Sequence, residues 1–199
     1  MAEPPVSDDE MEALSVSVRP AAAPPAAPAQ RAADFAVVDR CLRGEVRAFD
    51  ELVLRYQGEL YGLAYRMLLN ADEARDAVQD AFINAYRALR AFRRQASVRT
   101  WLFRITTNQC LDRLRVRPRE QAQELPETPV ADHGERIVEQ AQVRAALAEL
   151  PAAYRAVVLL RHFHGLSYRE IAVMMQLPVG TVKTHLHRAR AQLKDRLVE

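Results

Sequence analysis

The stretch from Ser167 to Leu193 constrains the fold more than any other, because its pattern predicts two short helices joined by a tight turn. Ser167 and Glu170 have the S-x-x-E spacing of a capping box, which marks a helix start. Pro178 has no backbone N–H to donate, so it ends one helix and can open the next. The second helix then has apolar residues four, three and four apart, a spacing that predicts one buried stripe: Val182, Leu186, Ala189 and Leu193.

Between these stripe positions, the second helix carries hydrogen-bond donors. They are Lys183, Thr184, His187, Arg188 and Arg190. A short helix, a turn and a second helix with a basic outer face form the helix-turn-helix arrangement that enters the DNA major groove. The alternative is a helical hairpin whose basic face is merely solvated.

The charge distribution also indicates a polyanionic partner, although the formal net charge is only +2. Arg87–Arg119 contains ten arginines and one acid, and Val179–Glu199 contains five basic and two acidic residues. Glu120–Leu150 lies between them, with seven acids and two arginines. Two basic blocks separated by an acidic one predict two surfaces that face a polyanion.

These patterns predict an all-α chain made of two small helical domains. Residues 1–33 are rich in proline and alanine and predict a disordered tail, either a plain extension or a segment with its own role. Residues 34–118 predict a helical bundle, 119–136 a flexible linker and 137–199 the domain with the helix-turn-helix. Order is expected to begin near Phe35.

Two helices of the bundle carry informative polar faces. Asn70 can cap a helix whose buried stripe runs from Ala74 to Leu89. Its opposite face carries Asp72, Asp76, Gln79, Asp80 and Asn84, which are either solvated or meet something basic. The following helix, capped by Ser97, is basic, and aromatic residues occur in and before it.

The loop Phe92–Arg99 and the helix after it have the composition of a single-strand nucleic-acid site, since arginines track phosphates and aromatic rings stack on bases. Trp101 could stack on a base, but its apolar neighbours favour a core position. Asn108 fits a base contact and a plain surface position equally well.

Other function classes find little support. No catalytic groups converge, so an enzyme is not expected, and no cofactor is implied. The histidine pairs at 162/164 and 185/187 are two residues apart and point in different directions on a helix, so no metal site is predicted. Cys41 and Cys110 are predicted to be buried free thiols. With no run of 18 apolar residues and an acidic, proline-broken N-terminus, a cytoplasmic protein is expected.

Two segments resemble a known family. DAVQDAFINAYRALRAF (Asp76–Phe92) followed by TWLFRITTNQCLDRLR (Thr100–Arg115) resembles region 2 of extracytoplasmic-function sigma factors, group IV of the housekeeping-type sigma family. Leu147–Leu193 resembles their region 4. The resemblance covers about Phe35 to Leu197.

The resemblance implies a protein that binds core RNA polymerase and directs it to promoter DNA with −10 and −35 elements. It assigns polymerase binding to Asp76, Gln79, Asp80, Ile83 and Asn84. It assigns the −10 strand, with a flipped base held by the loop, to Ala88, Phe92, Arg93, Arg94, Arg99 and Asn108. It assigns the −35 duplex to Lys183, Thr184, His187 and Arg188.

The resemblance also implies control by an anti-sigma factor, which could hold the chain at the inner membrane without direct membrane insertion. The sequence departs from the family at two positions, His185 where Arg is frequent and Gln176 where Gly is frequent. Gln176 is therefore expected to adopt a left-handed backbone conformation. Two alternatives are a helix-turn-helix regulator that acts without polymerase and a helical protein that binds only other proteins.

Overall fold

The computed structural model of the chain describes residues 28–116 and 134–197, and the regular structure in these ranges is entirely helical. The first domain contains α1 (Pro28–Leu42), α2 (Phe49–Leu68), α3 (Ala71–Ala88) and α4 (Val98–Val116), with 3₁₀ turns at Val46–Ala48 and Leu89–Ala91. The second contains α5 (Gly134–Glu149), α6 (Ala152–Val158), α7 (Tyr168–Met175) and α8 (Val179–Leu197). The two-domain, all-α prediction is confirmed.

Helix α1 begins at Pro28, so residues 28–33, which the sequence assigned to the tail, are helical. The cause lies around Asp34, a fully buried carboxylate. It accepts hydrogen bonds from Gln30 at 3.0 Å and Tyr56 at 2.5 Å, and it forms an ion pair with Arg55. The buried charge of Asp34 is thus paired with residues of α2, and this contact stabilises the start of α1. The amino-acid composition of the segment does not reveal the contact. Residues 1–27 lie outside the described ranges.

The caps of α3 and α4 form where the sequence predicted them. The Asn70 side chain accepts the backbone N–H groups of Asp72 and Glu73, each at 3.0 Å. Ser97 Oγ accepts the backbone N–H of Thr100 at 3.0 Å. The predicted stripe of α3 is buried from Ala74 to Leu89, and Trp101 of α4 is 6% exposed, which confirms its core position.

In the second domain, the helix-turn-helix takes the predicted form. Ser167 and Glu170 make both hydrogen bonds of the capping box, and Gln176 has φ 55° and ψ 41°, the expected left-handed conformation. Between α6 and α7 lies a π-helical turn, Leu159–Phe163, which the periodicity did not predict. Helix α5 starts at Gly134, three residues before the predicted boundary, and the predicted linker from 119 to 133 lies outside the described residues.

The two domains pack against each other through α4, α6 and α7. Met174 is 1% exposed and its Sδ lies 4.0 Å from Thr107 Oγ1 of α4. Met175, the next residue of α7, is only half-buried. Arg155 of α6 donates a 2.5 Å hydrogen bond to the Met67 carbonyl of α2.

Both cysteines are free thiols, as predicted, Cys110 buried and Cys41 half-buried. Burial raises the pKa of the Cys110 thiol to about 12, so this sulfur is protonated and unreactive at neutral pH. Across residues 28–116 and 134–197, no helix has the length and apolar character needed to span a bilayer.

Candidate nucleic-acid and partner interfaces

Helix α8 presents one continuous polar face to solvent. Its inner stripe of Val182, Leu186 and Ala189 is buried against the rest of the domain. The residues predicted to contact the −35 duplex are all exposed and lie together on the opposite face: Lys183, Thr184, His187 and Arg188. The Thr184 hydroxyl donates a hydrogen bond to the Gly180 carbonyl at 3.0 Å. Its oxygen can therefore only accept a hydrogen bond from DNA.

A tyrosine that the sequence reasoning missed lies beside this face. Tyr154 of α6 accepts a 3.3 Å hydrogen bond from Arg188 Nη1, and its ring centroid lies 4.8 Å from that of His185. His185 is half-buried, and its Nδ1 is buried without a hydrogen-bond partner. Burial, followed by the charge of Arg188, lowers the pKa of His185. His185 thus packs beside Tyr154, at the edge of the exposed face where Arg188 lies.

The predicted polymerase-binding residues share one face of α3. Asp76 and Gln79 are exposed, Ile83 is 41% exposed, and Asp80 and Asn84 are half-buried. Asp80 accepts a 2.5 Å hydrogen bond from Arg113 of α4, so its charge is already paired within the domain. Tyr86, also 41% exposed, extends the apolar part of this face and was not among the predicted residues. An acidic face with apolar side chains in it suits a basic, partly apolar protein partner.

The predicted −10 residues are only partly brought together. Ala88, Arg93, Arg94 and Asn108 are exposed. Phe92 is half-buried and stacks on Trp101, with ring centroids 4.7 Å apart and planes at 29°. Arg94 has a left-handed backbone with φ 54°, and it forms an ion pair with Asp39 of α1. The loop therefore carries exposed arginines, and Arg94 lies over the ring of Phe35, 5.4 Å from its centroid.

Arg99 is the exception among these residues. It is 4% exposed, and its ion pair with Glu59 measures 2.8 Å. Its two terminal nitrogens lie 3.3 and 3.4 Å from the backbone carbonyl oxygen of His164 in the second domain. In the arrangement described, Arg99 joins the two domains, and its assignment to the −10 strand stays a prediction.

His164 is the centre of this contact between domains. It is 6% exposed, and its ring meets Phe103 edge-on at 4.6 Å. Burial, followed by the nearby charges of Arg99 and Arg66, lowers the pKa of His164 to about 3. The imidazole is therefore neutral at physiological pH.

A cleft opens between the two domains at the other end of α4. Its lining is mostly apolar and combines the end of α4 with the second domain: Leu111, Leu114, Arg115, Ala152, Ala153, Met175, Leu177 and His185. Within the described ranges, no three histidine, cysteine, aspartate or glutamate side chains are grouped closely enough to hold a metal ion.

Comparisons with known proteins agree with these surfaces. The family model for Sigma-70 region 2 matches residues 52–120, and that for Sigma-70 region 4 matches 140–193. The RNA polymerase sigma-H factor of Pseudomonas aeruginosa is 39% identical over 180 residues, covering 82% of this chain and 93% of that protein. The ECF RNA polymerase sigma factor SigW of Bacillus subtilis is 36% identical over 175 residues, covering 78% and 91%.

A solved structure extends the likeness to the fold. The sigma factor RpoE in complex with the anti-sigma factor NepR, from Bartonella quintana, matches with a TM-score of 0.62 at 28% identity, covering 76% of this chain and 97% of that one. Both domains are matched in order, and the relatives are covered almost end to end. The chain therefore belongs to the extracytoplasmic-function (ECF) family of RNA polymerase sigma factors.

Proposed function

We propose that this chain binds core RNA polymerase and directs it to promoters by using its first domain at the −10 element and its second at the −35 element. The observation that carries the proposal is the exposed donor face of α8, Lys183 to Arg188, in a chain whose other domain matches Sigma-70 region 2. Polymerase supplies the chemistry, and the chain contributes binding alone. The proposal places it in the cytoplasm, where the chromosome is.

The α3 face is assigned to polymerase. Asp76, Gln79 and Ile83 are exposed and available for a partner without rearrangement. Asp80 and Asn84 complete the face, but Asp80 must exchange Arg113 for a cation of the partner, so its net contribution is smaller than that of Asp76. Tyr86 adds an apolar contact at the edge.

The −10 strand is assigned to the surface around the loop. Arg93 and Arg94 provide phosphate contacts, and Ala88 and Asn108 flank the path of the strand. A flipped base needs a stacking partner or pocket that offsets the few kcal/mol of lost stacking in the duplex. We assign this stacking to Phe92, because it is already held against Trp101 and needs little ordering on binding.

Simultaneous contact with both elements requires the domains to separate. Elements at −10 and −35 lie about 25 base pairs apart, roughly 85 Å along B-form DNA. A compact chain of 199 residues has a radius of gyration of about 16 Å. The contact made by Arg99 and His164 therefore breaks in the promoter complex, and Arg99 is then released for the −10 strand.

Control by an anti-sigma factor fits the closed arrangement. The relative from Bartonella quintana was solved with such a partner. In this chain, the apolar cleft that joins α4 to the second domain offers a site where a partner could hold the domains together. A membrane-bound anti-sigma factor would hold the chain at the inner membrane without inserting it.

The test is assembly with core polymerase. Asp76→Arg should weaken core binding at least about tenfold, because it reverses an exposed charge on the assigned face. The measurement is the affinity of fluorescently labelled chain for core polymerase, followed by promoter-specific transcription. Asp50→Arg makes the same charge change on the exposed start of α2 and should leave the affinity unchanged.

Two results would count against the proposal. Equal core affinity of wild type and Asp76→Arg would remove the α3 face from the polymerase contact. A wild-type chain that binds promoter duplex yet forms no complex with core polymerase would favour the helix-turn-helix regulator instead.

A further inference from the structure

The contact of α6 with α8 contains a three-residue cluster, Tyr154, His185 and Arg188, that the assignment of the −35 face leaves unexplained. Arg188 Nη1 donates to Tyr154 Oη at 3.3 Å. The Tyr154 ring packs beside His185, with centroids 4.8 Å apart and planes at 45°. The residues joined by the hydrogen bond are 34 positions apart, so this is a tertiary contact that spans the domain.

Tyr154 is itself well fixed. Its backbone N–H donates to the Pro151 carbonyl at 2.9 Å in the first turn of α6, and the side chain is half-buried. The ring of His185 supports one side of it. Because the Tyr154 hydroxyl is held in this way, it can fix the direction of the long, flexible Arg188 side chain that ends beside it.

The position of the hydrogen bond selects one edge of the guanidinium. Arginine reads guanine by two parallel N–H groups that meet O6 and N7. Because the hydrogen bond to Tyr154 is made by Nη1, it leaves the Nε–Nη2 edge available for such a pair. Holding the side chain before DNA arrives also lowers the ordering cost of the contact.

His185 adds a second effect. It lies three residues before Arg188 on the same helix, a spacing at which side chains are neighbours and like charges repel. The family frequently has arginine at this position. Here a half-buried imidazole, whose pKa is lowered by burial, avoids a second cation beside Arg188 and leaves room for Tyr154.

We propose that Tyr154 is a positioning residue for −35 recognition, holding Arg188 so that its Nε–Nη2 edge reads one guanine. The inference rests on the proposed function, since it assumes that α8 reads the −35 duplex. It predicts that the Tyr154 hydroxyl controls selectivity at a single base pair, while the rest of the element is read independently of it.

The experiment uses holoenzyme assembled from the full chain and core polymerase, on promoter fragments changed one base pair at a time across the −35 element. Tyr154→Phe keeps the ring and removes the hydroxyl. We expect initiation on the preferred sequence to fall about two- to tenfold and discrimination to relax at one position. Arg188→Ala should relax the same position, and adding Tyr154→Phe to it should have no further effect.

Tyr168→Phe is the matched control, because it removes a phenol hydroxyl from α7, where the ring packs under Arg161 and not Arg188. Any effect of Tyr168→Phe should be uniform across the promoter variants. The proposal is overturned if Tyr154→Phe also acts uniformly, or acts equally well in the Arg188→Ala background. Failure of wild-type holoenzyme to initiate would overturn the proposed function as well, whereas initiation with unchanged selectivity in Tyr154→Phe would overturn only the role of Tyr154.

Discussion

At the scale of single residues, His164 allows a prediction of how stability depends on pH, because it is titratable, buried and close to two arginines. Its pKa is lowered to about 3 in the folded chain, compared with 6.5 when unfolded. At pH values between these two pKa values, the unfolded chain binds a proton on His164 that the folded chain does not bind. The contribution of His164 to the free energy of unfolding is therefore complete above pH 6.5 and is lost as the pH falls towards 3. At pH 5 the loss from this residue alone is about 2 kcal/mol.

The measurement is the free energy of unfolding in urea at pH 7 and pH 5, for wild type and His164→Leu. Leucine has a similar size and no charge at either pH, so the variant should lose about 2 kcal/mol less than wild type over this interval. An equal loss in both proteins would mean that His164 is protonated in the folded chain and is not enclosed by Arg99, Arg66 and Phe103.

Residue-scale predictions from the sequence were confirmed where the cause is local. Gln176 was expected to be left-handed from the turn pattern alone, and Trp101 was expected in the core from its apolar neighbours. Arg99 and Tyr154 could not be placed in this way. Their decisive partners, His164 and Arg188, lie 65 and 34 positions away, and no local pattern contains that information.

At the scale of elements, one substitution in the turn between α7 and α8 is expected to stabilise the fold. Gln176 is exposed and has φ 55°, a conformation that favours glycine over residues with a side chain. Gln176→Gly should therefore raise the free energy of unfolding by about 1 kcal/mol, since it removes the strain of a left-handed residue. Urea or thermal unfolding measures the change.

The matched control makes the same substitution inside a helix. Gln192 is exposed in α8, where glycine is less favourable than other residues, so Gln192→Gly should lower stability by about 1 kcal/mol. Opposite signs for one substitution would assign the effect to backbone conformation. Destabilisation by both changes would contradict a strained turn.

Element starts were predicted best where side-chain caps mark them, as at Asn70, Ser97 and Ser167. The start of α1 was placed too late because its cause is a buried carboxylate, Asp34, that pairs with α2. The π-helical turn at Leu159–Phe163 escaped prediction because a single wider turn scarcely alters the spacing of apolar residues.

At the scale of the whole molecule, buried arginines form hydrogen bonds across the closed contact between the domains. Arg99 connects Glu59 of α2 with the His164 carbonyl, and Arg155 connects α6 with the Met67 carbonyl. Sequence reasoning predicted two separate domains and found nothing to indicate this contact. Every residue has a backbone carbonyl, so the type of the accepting residue does not reveal such a hydrogen bond.

Loss of Arg99 should open the molecule. Arg99→Ala removes the ion pair with Glu59 and leaves the buried His164 carbonyl without its donors, which weakens the contact by about 1–3 kcal/mol. Small-angle X-ray scattering should then give a larger radius of gyration for the free chain than for wild type. Arg75→Ala removes an exposed ion pair with Asp72 within α3 and should leave the radius of gyration unchanged.

Opening should also affect polymerase binding, because the promoter complex requires separated domains. If closure competes with assembly, Arg99→Ala binds core polymerase more tightly than wild type in the absence of DNA, by up to about the factor of 5 to 150 that 1–3 kcal/mol represents. Measuring without promoter keeps any role of Arg99 on the −10 strand out of the comparison. A larger radius of gyration with unchanged core affinity would show that closure does not restrain assembly, and an unchanged radius would show that other contacts hold the domains together.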